Sequence, residues 1–141
     1  MSSGVDQVTI RSRNIGRSIL ALLAGFIVNV VLSLATDFAL QASGILPALG
    51  RGSMNDFQAA LAAAYRTLFA VVGSYVVARL APNRPMGHAL TGAAIGMVIA
   101  TSGAIVTRNY ALGPYWYSLV LIAVALPTGW AGAKLWMTQS N

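Results

Sequence analysis

Cysteine and glutamate are absent from this chain, histidine occurs once, and only 9% of its 141 residues are charged. Each shortage excludes chemistry. Without cysteine there is no disulfide, no thiol redox step and no iron–sulfur ligation. The single histidine, His88, excludes a bis-histidine haem or a multi-histidine zinc site within one chain. Asp6, Asp37 and Asp56 are the only acidic side chains, so the paired intramembrane carboxylates of many proton-coupled exporters are lacking. No metal site and no cofactor is expected. His88 and Asp37 belong near opposite ends of their segments, no nucleophile has an adjacent base, and the chain does not read as an enzyme.

What the sequence has in abundance is apolar residues, at 57%. A soluble domain carries about 25% charged residues, far more than here. Four apolar runs, at 18–40, 57–81, 86–107 and 115–137, each meet the requirement of about 20 apolar residues for a helix that crosses a bilayer. The expected fold is all-α: a single four-helix transmembrane domain over 1–141, an antiparallel bundle preceded by a basic tail at 1–17. A secretory signal has an apolar core of only about 7–15 residues. The first run is longer and passes through Asn29, Ser33 and Asp37, so it reads as an uncleaved span.

The charges set an expected orientation. Nine Lys and Arg face three Asp, for a formal net charge of +6. Arg11, Arg13, Arg17, Arg79, Arg84 and Lys134 fall on one side of the four spans, and Arg51 and Arg108 on the other. Short loops rich in Lys and Arg stay in the cytoplasm, which places both termini there. Tyr110, Tyr115, Trp116 and Tyr117 gather at the outer boundary and Trp136 at the inner one, as interfacial aromatics do. The cations lie at helix ends rather than on one face, so nucleic acid is not an expected partner. The lipid bilayer is, with anionic lipid at Arg79 and Arg84.

The connections carry start and stop signals. Ser53, Asn55 and Asp56 offer caps to the second helix. Pro82 and Pro85 close one helix and open the next, and Gly113 with Pro114 precedes the fourth. In the outer loop, 41–56, the apolar stretch 44–49 is too short to span, and it is expected to lie in the interface, with a cap over the bundle as the alternative. The halves also show a faint repeat, with Gly25 to Thr36 and Asp37 matching Gly96 to Thr107 and Arg108 in spacing.

Arg66 is the most costly residue, about 13–15 Å from the outer end of the second helix by helical rise. Insertion scales put a cation at such depth at about 2.5–3.5 kcal/mol, and such groups face the bundle interior. Asn29, Ser33, Thr36 and Asp37 share one face of the first helix, which suggests a polar network of Arg66, Asn29, Ser33 and, at the limit of reach, Asp37. That network either fixes helix register or receives an anionic or carbonyl-bearing ligand. Gly92, Gly96, Ala100 and Gly103 form a small-residue packing face on the third helix, within the bundle or against another subunit. Pro127 interrupts the fourth helix and is expected to kink it.

The series Ala64-Tyr65-Arg66, Gly73-x-Tyr75, Ala78-Arg79-Leu80-Ala81-Pro82, Arg84-Pro85-Met86, His88-Ala89, Gly113-Pro114-x-Trp116-Tyr117 and Ala125-Leu126-Pro127 with Trp130 resembles a group of uncharacterised bacterial inner-membrane proteins. The likeness runs over roughly the last two thirds of the chain. It implies a multi-pass protein of the bacterial inner membrane and brings no activity with it. The first functional expectation is a non-enzymatic accessory or scaffolding subunit, packed as a homo-oligomer or within a larger membrane complex. The second is a transport or binding bundle for a small molecule or lipid, built on Arg66. A cavity reaching Arg66 would favour the second; a closed interior with a flat glycine face would favour the first.

Overall fold

The computed structural model describes residues 3–141. Its four long helices are α1 (Ser3–Ala42), α2 (Asp56–Leu80), α3 (Pro85–Thr107) and α4 (Tyr115–Gln139), with a 3-10 turn at Arg108–Tyr110. All four are long and apolar enough to cross a membrane. Three match the sequence boundaries within two residues. α1 does not: it runs unbroken for 40 residues, so the described part of the expected tail is helical. At 1.5 Å per residue the helix is about 60 Å long, twice the hydrocarbon thickness of a bilayer. Once the apolar part is helical, each residue added at its start joins an existing hydrogen-bond ladder and avoids the nucleation cost. Asp6 in the first turn also suits the positive end of the helix dipole.

The connections fold as their residues direct. Asn55 and Gln58 form a reciprocal capping box on α2: the Asn55 side chain accepts from the Gln58 N–H at 2.9 Å, and the Gln58 side chain accepts from the Asn55 N–H at 3.0 Å. Pro85 opens α3 directly after Arg84, whose φ of 44° reverses the chain. Leu46 is buried while Leu49 is exposed, the Gln58 side chain donates to the Ile45 carbonyl at 2.7 Å, and the Met54 N–H donates to the Leu112 carbonyl at 3.0 Å. The loop 41–56 is tied across the bundle end to the α3–α4 connection, as the capping alternative expects.

Sequential helices run antiparallel, yet the most extensive packing is between α2 and α4, which run parallel. Their register is visible at both ends, where the Trp116 indole donates to Asp56 at 2.9 Å and the Tyr75 hydroxyl donates to Gln139 at 2.7 Å. α2 packs most extensively and α3 also touches the other three, whereas α1 and α4 do not pack against each other among the described residues. Short links therefore fixed direction without fixing adjacency: the tight 81–84 turn joins α2 to α3, but α3 packs mainly on α4.

Glycine and alanine make these contacts. A methyl group on Gly25 would lie 2.5 Å from the Gly73 carbonyl oxygen, and one on Gly132 would lie 2.5 Å from the Val71 carbonyl oxygen. One on Gly129 would lie 2.5 Å from the Ala93 β-carbon. The buried positions are mostly small, including Ala21, Ala59, Ala62, Ala78, Ala89 and Ala133, while Phe38, Leu34, Leu68, Val98 and Leu119 point outward. Small residues at helix contacts and large ones outside are the arrangement of a bundle whose surroundings are as apolar as its side chains. The surface suits a multi-pass membrane protein.

Candidate functional site

Arg66 pairs with Asp37. Its Nη2 donates to Asp37 Oδ2, and the Tyr65 hydroxyl donates to Asp37 Oδ1, so both carboxylate oxygens are engaged. The contact between Gly25 and Gly73 fixes the register, in which Asp37 stands level with position 61 of α2. The offset from Arg66 is about five residues, or roughly 7 Å. An extended arginine covers that distance by reaching along the helix toward the loop end. Tyr117, in the first turn of α4, lies within electrostatic range of both Arg66 and Asp37. The pair of Arg66 and Asp37 thus ties α1 to α2.

The other expected members are placed differently. Ser33 donates to the Asn29 side chain at 3.5 Å, one turn away on the same helix. The Asn29 β-carbon lies 3.1 Å from where a methyl on Gly73 would sit, so Asn29 belongs to the α1–α2 seam. Neither residue hydrogen-bonds Arg66, while Asp37, the candidate at the limit of reach, does. Tyr65 and Tyr117 were not anticipated there. Only the adjacency of Tyr65 to Arg66 could have signalled the first, and neighbouring residues point about 100° apart on a helix, which argues against it. Tyr117 was expected only as an interfacial aromatic at the outer boundary, not as a neighbour of Arg66.

A cavity of about 210 Å³ extends from this cluster into the bundle. Arg66 and Ser33 border it toward the loop end, and Leu22 and Ala89 toward the opposite end. Most of the remaining wall is apolar or glycine. Gly92, Gly96 and Ala100 of α3 form part of that wall, so much of the expected packing face borders space. A methyl on Gly92 would lie 3.1 Å from Leu22, but methyls on Gly96 or Gly103 would meet nothing within 4 Å. Contacts between α1 and α3 occur where Leu22 meets Gly92 and where His88 Nε2 meets the Ser18 hydroxyl at 2.7 Å. Beyond Gly92 the two helices leave the cavity partly open at the side. α3 instead packs on α4 through Ala89 and Ala93, which meet Gly129.

Pro127 is exposed and α4 continues through it as helix; the Thr128 hydroxyl donates to the Ala125 carbonyl at 2.8 Å, and Thr128 and Gly129 turn into the bundle. At the turn end, Arg79 stands over the Trp136 ring at 5.8 Å, Lys134 stands over Trp130 at 4.6 Å, and Arg84 is exposed. The chain matches no family model, no curated protein and no solved structure.

Proposed function

We propose that this protein is a multi-pass membrane protein that binds an amphiphilic small molecule or lipid in the cavity beside Arg66. The supporting observation is a largely apolar space that reaches a paired arginine and is partly open at the side. At about 210 Å³ it is smaller than the roughly 300 Å³ at which enclosed small-molecule sites begin. A ligand would therefore enter with one end and leave the rest of its chain among the lipids. The charge distribution and the resemblance to bacterial inner-membrane proteins support that membrane as its location, with both termini cytoplasmic and Arg79 and Arg84 near anionic headgroups. The test is the lipid extracted from purified protein. The wild-type chain should retain an amphiphile through detergent washing, and Gly96→Phe, which fills the opening, should release it while keeping its helices. Equal retention by both would refute the reading.

A second reading, the non-enzymatic accessory or scaffolding subunit, draws support from the uncovered Gly96 and Gly103 edge of α3. A helix of another copy or of a larger complex could approach closely there. Cysteine crosslinking from position 103 in native membranes should trap a neighbour if that reading holds, and leave monomer if it does not.

A further inference from the structure

We infer that the ligand of this cavity is uncharged and carries a carbonyl oxygen at its polar end, attached to a hydrocarbon tail; this rests on the binding reading above.

Charge balance comes first. Among the described residues Arg66 is the only charged one bordering the cavity, and its charge is already matched by Asp37. An anionic headgroup arriving there would meet a carboxylate fixed by two donors. It would have to displace Asp37 or stand beside it in a medium that screens little. A cation would meet the guanidinium. A neutral head meets neither obstacle.

Hydrogen-bond capacity comes second. A guanidinium offers five N–H donors and no acceptor. Asp37 engages Nη2 and the Tyr65 hydroxyl stands beside the guanidinium, yet the Arg66 side chain remains 36% exposed, and its buried Nε has no acceptor among the described residues. The protein thus leaves donor capacity unused at the border of an apolar space, where the missing component is an acceptor. A carbonyl oxygen supplies two lone pairs without charge. Apart from the hydroxyls of Ser33, Thr67, Ser74 and Thr128, the rest of the wall, including Gly92, Gly96, Ala100, Leu121 and Val124, suits hydrocarbon. A quinone ring with an isoprenoid tail and a glycerolipid ester both have this chemistry.

The test uses the full-length protein in dodecyl maltoside, a detergent with no carbonyl group. Four probes are compared by equilibrium binding: decylubiquinone, a diacylglycerol, a dialkyl-ether phosphatidic acid, and a plain long-chain alkane. At least one carbonyl probe should bind about tenfold or more tightly than the alkane, as one hydrogen bond to a charged donor would give. The ether phosphatidic acid should bind no better than the alkane. A preference for decylubiquinone identifies a quinone site, and one for the diacylglycerol identifies an ester site. The paired variant Arg66→Leu with Asp37→Ala removes the donors and their counter-charge together, and it should abolish the carbonyl advantage while leaving alkane binding intact. If that variant does not fold, the four-probe comparison on the wild-type chain decides alone. Tightest binding of the phosphatidic acid, or a carbonyl probe no better than the alkane, overturns the inference and leaves the cavity a binding site. Failure of every probe, the alkane included, overturns the binding reading itself.

Discussion

Gly25 of α1 and Gly73 of α2 bring their backbones into contact: a methyl group on Gly73 would lie 2.7 Å from the Gly25 carbonyl oxygen. This crossing sets how far Arg66 stands from Asp37, so a residue without a side chain governs the placement of the longest cation in the site.

Gly73→Leu should therefore force α1 and α2 apart and destabilise the fold by about 1–3 kcal/mol, the range for overpacking. Gly96→Ala, facing open space, should be neutral or stabilising by up to about 1 kcal/mol through helix propensity. Thermal unfolding of both variants in one detergent checks the contrast. Equal losses would contradict the packing described.

Removing Asp37 as Asp37→Ala leaves the guanidinium without a counter-charge and should cost about 2–3 kcal/mol. The double variant with Arg66→Leu should recover part of that loss. A double-mutant cycle measured by reversible unfolding should give a coupling of about 1–2 kcal/mol, at the upper end for polar pairs in membrane bundles. A coupling near zero would mean the pair does not form.

Tyr65→Phe removes one donor to Asp37 while keeping the ring, and should cost about 0.5–1.5 kcal/mol. In the Asp37→Ala background the same change should cost almost nothing. Unfolding midpoints of the four combinations decide it.

His88→Ala should loosen α1 from α3, because His88 and Ser18 link those helices across the bundle. Spin labels on α1 and α3 should show a broader distance distribution, with a stability loss of about 0.5–1 kcal/mol. Ser18→Ala should reproduce the change. An unaltered distribution would show that the contact between Leu22 and Gly92 suffices.

Much of the fold was legible because the signals are local. Apolar run length placed α2, α3 and α4 within two residues, and Asn55 and Pro85 marked their starts. The helical start of α1 was hidden because polar residues such as Arg11 and Asn14 do not reveal whether they continue a helix begun elsewhere. Packing partners were hidden for another reason. Gly92 and Gly96 carry the conspicuous four-residue spacing, yet the close approaches use Gly25, Gly73, Gly129 and Gly132, where a glycine matters only because of what another helix presents. At the site, depth counting found Arg66 and its polar face on α1. It ranked Asn29 and Ser33 above Asp37 because it underestimated the outward reach of an arginine; the depth itself agrees with the Gly25–Gly73 crossing, which sets Arg66 level with position 32 of α1.

α1 rests chiefly on α2, touches α3 only lightly, and has no neighbour in α4. Mechanically the molecule is a three-rod post with a single leaning stave. A displacement of that stave alone would spare the contacts among the other three rods, and it would have to break the pair between Arg66 and Asp37.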